Sequence, residues 1–270
     1  MAGKMKERSS NRRSGFRRGI VVLITVLLVS TVTMSAPAAA WGFFGWWGGT
    51  DDAQNPPGDE PVLLVHGFAD ASWTIWWDEL ESNLEEEGYD DDDIYRLDLG
   101  DIPGTTIDSP TEYSKQVCSK LKKISVTESV ETGKLYQEVD IIGHSMGGLD
   151  ARHCVEERDG AEYVDDLVTI ATPHQGTEVA EIAFFLESGR DMQPGSDFLT
   201  DLNEDGLAEN VDYTAVWGDW DEAVNPDENA RIPRELIGET DVENVAAGNH
   251  MHINMVWSDD VFNDYKEDLD

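Results

Sequence analysis

Residues 143–148 read Gly-His-Ser-Met-Gly-Gly and place Ser145 at the centre of a G-x-S-x-G motif. This motif presents a nucleophilic serine when it joins a buried strand to a helix, because the tight turn holds the hydroxyl above the sheet. The apolar run 139–142 before the motif and the helical spacing of 146–157 after it predict that context. Ser145 is therefore the predicted nucleophile of an acyl-transfer reaction.

Acyl transfer also needs two N–H donors for the oxyanion that forms on the substrate carbonyl. The residue after the nucleophile supplies one donor, which here is the backbone N–H of Met146. The other donor comes from the loop after the first strand, where the sequence reads His66-Gly67-Phe68. The backbone N–H of Phe68 is the candidate, and the imidazole of His66 is interpreted as a brace for this loop.

A serine nucleophile needs a histidine base and a carboxylate that orients it, in the chain order serine, acid, histidine. Downstream of the motif, a predicted strand over 213–217 ends in a turn that carries Asp219, Asp221 and Glu222. Any of these three carboxylates satisfies the order. The residues alone leave the choice open.

The base must come from a later segment, and residues 248–252, Gly-Asn-His-Met-His, contain two candidates. His250 and His252 occupy alternate positions, which point opposite ways in an extended loop. Only one of them can therefore reach the nucleophile.

All of these candidates follow predicted strands. The predicted strands cover 61–66, 94–99, 139–142, 167–171, 213–217 and 242–247, and the predicted helices cover 73–87, 110–124, 146–157 and 258–268. Strands that alternate with helices predict a mostly parallel sheet covered on both faces. Ligands of such sheets bind beyond the carboxyl ends of the strands, which is where the candidate residues lie.

The chain has 270 residues and a formal net charge of −37. Residues 41–270 carry 12 basic and 55 acidic side chains, a net charge of −43. The acids are interleaved with apolar periodicity, which excludes disorder, and the lack of basic patches excludes nucleic acid as a partner. Such a charge suits concentrated salt, where screening shortens to about 3 Å near 1 M. We interpret the chain as a protein of a halophilic organism, specifically an archaeon.

The first forty residues differ from the rest. Residues 1–18 carry seven Lys or Arg, an apolar run follows over 20–34, and 35–40 reads Ser-Ala-Pro-Ala-Ala-Ala. This order is typical of a cleaved secretory signal, and the paired arginines before the apolar run indicate the twin-arginine type. An uncleaved membrane anchor is the alternative. Residues 41–60 are predicted to be a linker, whose aromatic segment 41–47 is a candidate for contact with lipid.

Two cysteines remain, Cys118 and Cys154. Both fall on predicted helices that flank one strand, so a disulfide is geometrically possible in a secreted chain. Two separate buried thiols are the alternative.

Four phrases of the sequence carry a resemblance to a known family. They are PVLLVHGF at 61–68, VDIIGHSMGG at 139–148, TPHQGT at 172–177 and MQPGSDFLTDLN at 192–203. The chain from residue 61 to its end resembles secreted lipases of the α/β-hydrolase fold and is similar to the small bacterial triacylglycerol lipases. The resemblance implies hydrolysis of carboxylic esters, most of all acylglycerols, on a parallel sheet with the nucleophile after a central strand.

The resemblance also implies roles for individual residues. In these lipases the acid lies three residues after a glycine and before x-x-V-x-P, a frame that residues 218–226 match with Asp221. Asp219 is the second candidate. The family's histidine precedes an apolar patch and the closing helix, which favours His252 over His250. No cofactor and no metal are implied, and the sequence contains no D-x-D-x-D-G calcium loop.

Other activities fit the same motifs. A short-chain carboxylesterase, a thioesterase or an amidase would use the same machinery, because specificity depends on the shape of the pocket. A binding protein without activity on the same scaffold is a remote alternative. The segment over 178–210 is long enough to cover part of the site or to pack on the sheet.

Overall fold

The structure is a computed structural model that describes residues 60–102, 104–128, 138–204, 206–238 and 240–269. The predicted export signal over 1–40 and the predicted linker up to residue 59, with its aromatic segment, lie outside the described residues. No helix within the described part of the chain combines the length and apolar character needed to cross a membrane.

The described residues form one six-stranded sheet in which every neighbouring pair of strands is parallel. The strands are Val62–Val65 (β1), Ile94–Leu97 (β2), Asp140–His144 (β3), Asp166–Ile170 (β4), Asp212–Gly218 (β5) and Val242–Gly248 (β6). Their order is β2-β1-β3-β4-β5-β6. The predicted parallel sheet is confirmed, and β3, which leads to Ser145, lies inside it.

Helices cover both faces of this sheet. They are Ile75–Glu87 (α1), Pro110–Lys123 (α2), Met146–Glu157 (α3), Glu187–Asp191 (α4), Asp197–Leu202 (α5), Asn254–Trp257 (α6) and Asp259–Tyr265 (α7). Short 3₁₀ segments lie at Asp91–Asp93, Gly160–Tyr163, Glu178–Ala183, Asp227–Ala230, Arg234–Leu236 and Lys266–Asp268, and α2 continues as a π-helical turn at Ile124–Glu128.

The sequence explains the bounds of α2. Ser109 caps its N-terminus, where the serine Oγ accepts a hydrogen bond from the N–H of Thr111, and Pro110 occupies the first helical position. Lys120, Lys122 and Lys123 lie in the last turn, where positive charge stabilises the negative end of the helix dipole.

The central strands are buried and mostly apolar because both of their faces are covered. Leu63 and Val65 of β1 pack into a core with α2 and α3, whereas Val62 and Leu64 pack on the opposite face with α1 and α7. The alternation of side chains along the strand divides the apolar run between the two cores. The edge strands β2 and β6 are only partly buried.

A disulfide joins α2 to α3. Cys118 and Cys154 form this bond, with their Cα atoms 5.6 Å apart. Of the two alternatives that the sequence leaves open, the structure therefore has the bridge.

Candidate active site

The nucleophile elbow lies between β3 and α3. Ser145 has φ 56° and ψ −128°, a backbone conformation that residues with a side chain rarely adopt. Two backbone hydrogen bonds hold it there, from Ser145 N to Ile170 O at 2.9 Å and from Gly148 N to Ser145 O at 3.1 Å. Ser145 as a whole is partly exposed to solvent.

The glycines of the motif are required by close contacts. A Cβ on Gly143 would lie 2.7 Å from Gly148 Cα, and a Cβ on Gly147 would lie 2.4 Å from Val65 O. Both distances are shorter than any Cβ contact that real structures tolerate. The turn can therefore form only with glycine at these two positions.

The loop after β1 packs directly against this elbow. A Cβ on Gly67 would lie 2.7 Å from Ser145 Cβ and 3.2 Å from Met146 N. The N–H groups of Phe68 and Met146 therefore belong to two segments that meet beside the nucleophile. Met146 also begins α3, whose N-terminus favours negative charge.

His66 and Thr106 fix the loop. His66 Nδ1 donates to Gly67 O at 3.1 Å, and its Nε2 accepts a hydrogen bond from Leu99 N at 3.0 Å. Burial lowers the pKa of His66, so the ring is neutral in this role. The buried Thr106 donates to Gly67 O at 3.0 Å and accepts from Ala69 N at 2.7 Å. The structure thus gives His66 the bracing contacts that the sequence predicts.

Asp70 is a second brace, and the sequence did not single it out. This buried carboxylate accepts hydrogen bonds from Thr74 Oγ1 at 3.0 Å and from the indole N–H groups of Trp76 and Trp77 at 3.1 and 3.2 Å. It therefore ties the loop after β1 to the first turns of α1.

The candidate acids lie in the turn after β5. Asp221 is 3% exposed, and its Oδ1 accepts hydrogen bonds from Ala223 N at 2.8 Å and Val224 N at 2.9 Å. Asp219 is exposed on the same turn and makes no side-chain hydrogen bond to another described residue. Of the predicted carboxylates, the structure therefore buries and orients Asp221.

The two candidate histidines follow β6. His252 Nδ1 lies 2.9 Å from both Oδ1 and Oδ2 of Asp221, and the exposed Glu222 accepts a hydrogen bond from His252 N at 3.1 Å. His250 forms no hydrogen bond to Asp221 among the contacts of the described residues. With Nδ1 donating to the carboxylate, Nε2 is the basic nitrogen of the His252 ring.

The His252 ring lies next to the elbow. Its centroid is 4.7 Å from that of His144, the residue before Ser145, and His144 Nε2 lies 3.3 Å from His252 O. No hydrogen bond between described residues joins Ser145 to His252. Hydrogen bonds between catalytic groups are commonly long in the free enzyme and shorten when substrate binds.

His144 lies next to Ser145 and His252, and its ring is neutral. Burial, and then the neighbouring His252, lower the pKa of His144 well below its usual value. The ring lies between Trp77, at 6.5 Å between centroids, and His252. A neutral His144 adds no charge that would oppose a proton on His252.

The remaining two histidines, His174 and the partly buried His153, contact other polar side chains. His174 contacts Arg152 Nη1 at 3.2 Å and Thr169 Oγ1 at 2.9 Å, and its pKa is well below the usual value because the ring is buried. His153 Nδ1 lies 3.0 Å from Ser114 Oγ. These contacts give both rings structural roles.

Comparisons with known proteins place this site in a family. The profile of the lipase (class 2) family matches residues 59–256 of the chain. Over 125 residues, or 45% of the chain, it is 30% identical to triacylglycerol lipases of Pseudarthrobacter phenanthrenivorans and Burkholderia plantarii. These segments cover 35% and 31% of the two relatives, so the chain matches only about a third of their length.

Solved structures share the fold at low sequence identity. The mature form of Bacillus licheniformis lipase BlEst2 superposes with a TM-score of 0.62 at 19% identity, over 80% of this chain and 95% of that one. The product of the Listeria innocua gene lin2722 superposes with a TM-score of 0.56 at 14% identity, over 78% and 94%. The predicted α/β-hydrolase fold is confirmed.

Proposed function

The chain belongs to the class 2 lipase family, and from this premise we propose that it is a carboxylic ester hydrolase acting on acylglycerols. Ser145 Oγ attacks the ester carbonyl while His252 takes the hydroxyl proton, and Asp221 stabilises the resulting imidazolium. The N–H groups of Phe68 and Met146 hold the oxyanion. The carbon–oxygen bond then breaks, and the proton passes from His252 to the departing alcohol.

Water completes the cycle. It attacks the acyl-enzyme while His252 removes its proton, and Ser145 regains that proton as the fatty acid leaves. No cofactor enters these steps. The observation that carries the proposal is the pairing of His252 Nδ1 with both oxygens of the buried Asp221, beside a serine held in the elbow conformation.

The apolar surface supports lipid as the substrate class. Most exposed large hydrophobic residues of the described chain lie on connections that leave the carboxyl ends of strands, namely Phe68, Trp73 and Ile75 after β1, Ile102 and Ile107 after β2, Val179, Phe184 and Phe185 after β4, Trp220 after β5, and Met251 and Trp257 after β6. Exposed apolar side chains on the segments that follow the strands suit contact with acyl chains.

We further propose that the enzyme acts outside the cell, in concentrated salt. The disulfide between Cys118 and Cys154 supports an oxidising compartment, because reducing conditions in the cytosol keep most thiols free. The basic-then-apolar pattern of residues 1–40 supports export, and the net charge of −43 over 41–270 supports a saline medium.

The test is hydrolysis of p-nitrophenyl esters of increasing acyl length in high salt, with Ser145→Ala as the control. We expect kcat/KM to be highest for long acyl chains and Ser145→Ala to retain no turnover above the uncatalysed rate. Activity that survives in Ser145→Ala contradicts the mechanism. A maximum at short chains reassigns the protein as a carboxylesterase, and turnover of thioesters or amides instead of oxygen esters identifies a thioesterase or an amidase.

A further inference from the structure

The loop after β4, residues 172–177, contacts two separate parts of the candidate site, and we call it the bridging loop. Its first residue, Thr172, packs on the elbow, since a Cβ on Gly148 would lie 2.1 Å from Thr172 Oγ1. Further along, His174 Nδ1 lies 3.2 Å from Nη1 of the buried Arg152. Both partners belong to α3, the helix that begins at the elbow. One end of the bridging loop is therefore fixed to the helix of the candidate nucleophile.

The other end of the bridging loop contacts the turn after β5, residues 219–226, which we call the acid turn. Thr177 is 5% exposed, and its Oγ1 donates a hydrogen bond to Ala223 O at 2.8 Å and accepts one from Asn225 N at 3.0 Å. The next residue continues the contact, because Glu178 N donates to Asn225 O at 2.9 Å. The hydroxyl of Thr177 thus joins two peptide groups of the acid turn to the bridging loop.

The peptide groups that Thr177 holds are neighbours of those that orient the carboxylate. The N–H groups of Ala223 and Val224 donate to Asp221 Oδ1 at 2.8 and 2.9 Å. Both oxygens of that carboxylate lie 2.9 Å from His252 Nδ1. Ala223 belongs to both sets of contacts, because its N–H binds Asp221 and its carbonyl accepts from Thr177. A shift of this one residue would therefore move the carboxylate relative to the imidazole.

Thr177 also caps a helix. Its Oγ1 accepts a hydrogen bond from Val179 N at 3.2 Å, at the N-terminus of the 3₁₀ segment Glu178–Ala183. Loss of a cap lowers the stability of the fold, but it does not by itself change the distance between Asp221 and His252. Stability and alignment can therefore be told apart when both are measured.

We propose that Thr177 is a positioning residue for the ester hydrolysis, and that the bridging loop sets the place of Asp221 relative to the elbow. The loop is attached to α3 at one end and to the acid turn at the other, so it connects two parts of the site that follow different strands. Thr177 acts through the acid turn and not on the substrate itself. The inference rests on the proposed function, because it gives Asp221 the role of orienting the base.

The experiment compares four forms of the full chain in about 1 M KCl, where surface repulsion is screened. They are the wild type, Thr177→Val, which keeps the branched shape and removes the hydroxyl, Thr177→Ser, which keeps the hydroxyl, and the control Thr214→Val. Thr214 is also buried, at 6% exposure, and its Oγ1 donates to Asp268 Oδ2 at 3.0 Å near the start of β5.

Three quantities are measured for each form. Turnover of one p-nitrophenyl ester gives kcat and KM, and thermal unfolding gives Tm. Proton NMR follows the Nδ1–H of His252, whose resonance is identified by its loss in His252→Ala. This resonance reports the hydrogen bond to Asp221 directly and needs no substrate.

We expect Thr177→Val to lower kcat by about 100-fold, because a small misplacement of a group in the site has an effect of this size. KM should stay nearly unchanged, as for an interaction that matters only in the transition state. The Nδ1–H resonance should move upfield or disappear. Thr177→Ser should restore most of kcat and the resonance. Thr214→Val should lower Tm, as Thr177→Val does, and keep the kcat and the resonance of the wild type.

Thr177→Ala replaces Thr177→Val where the valine variant does not fold. It removes the hydroxyl without placing a methyl group against the freed carbonyl of Ala223, and the same results are expected of it. Circular dichroism checks the folding of each variant.

Three results would overturn the inference. One is a folded variant without the Thr177 hydroxyl that keeps the kcat and the Nδ1–H resonance of the wild type. Another is an equal loss of kcat in Thr214→Val, which indicates general destabilisation. The third is failure of Thr177→Ser to restore kcat. Failure of the proposed function looks different, because the wild type itself then does not hydrolyse the esters while the resonance still reports the effect of Thr177 on Asp221.

Discussion

At the scale of single residues, the choice among the candidate acids depends on a turn. Asp221 is the candidate that the geometry favours, because its Oδ1 accepts hydrogen bonds from two N–H groups of the residues that follow, which turns the carboxylate toward His252. Asp219 and Glu222 lie on the same turn and are exposed. Composition and strand order place three acids here without distinguishing them; the resemblance to lipases favours Asp221, and the backbone geometry shows how this carboxylate is oriented.

The two histidines of the last loop should differ sharply in function. We expect His252→Ala to lower kcat by about 10⁴-fold or more, because the serine loses its base. His250→Ala should keep activity close to wild type, because this ring makes no contact with Asp221 in the described structure. The measurement is kcat on one p-nitrophenyl ester, with circular dichroism to confirm folding. Loss of activity in His250→Ala alone would move the base by two residues.

Several residues that shape the site have no signal in the sequence. Thr106 forms hydrogen bonds to Gly67 and Ala69, which lie 39 and 37 positions away in the chain. Asp70 accepts hydrogen bonds from two indole N–H groups. The position of Ser145 in the turn between β3 and α3 could be predicted because its motif is local. Contacts made by the tertiary fold belong to no short pattern, so Thr106 and Asp70 were missed.

At the scale of elements, periodicity predicts the long segments and fails for the short ones. The helix predicted over 146–157 matches α3 at both ends, and the helices predicted over 73–87 and 110–124 differ from α1 and α2 by two residues or fewer. The segment over 178–210 instead contains a 3₁₀ helix and the short helices α4 and α5. Helices of five or six residues span less than two turns, too few to show a repeat.

The contact between the β1 loop and the elbow predicts the effect of one added methyl group. Gly67→Ala would place a Cβ 2.7 Å from Ser145 Cβ and 2.9 Å from His144 O, so the loop or the nucleophile must move. Because catalysis depends on this alignment, we expect kcat/KM to fall by about 100-fold. Gly238→Ala is the matched control, since its Cβ would meet no atom within 4 Å. Equal activity in the two variants would show that the loop adapts without affecting the site.

At the scale of the whole molecule, the main question is how a chain with so many negative charges stays folded. The described ion pairs involve few of the 55 acids in residues 41–270, for example Arg152–Glu156 in the core and Lys266–Glu87 between α7 and α1. Unpaired negative charges on the surface repel one another, and the salt concentration sets the distance over which this repulsion acts. The screening length is about 10 Å at 0.1 M and about 3 Å at 1 M.

Stability should therefore rise with salt, and the shape of the increase should identify its cause. We expect Tm to increase steeply between about 0.1 and 1 M KCl and to level off above that, because screening is then shorter than the spacing of most surface charges. NaCl at equal concentration should give the same curve, whereas specific ion binding would separate the two salts. Sucrose, which stabilises by exclusion from the surface, is the uncharged control and should give no such plateau.

Thermal unfolding followed by circular dichroism measures all three series. A Tm that does not change with KCl would mean that the acidic surface is not destabilising, and the proposal of a saline environment would then lose its physical basis.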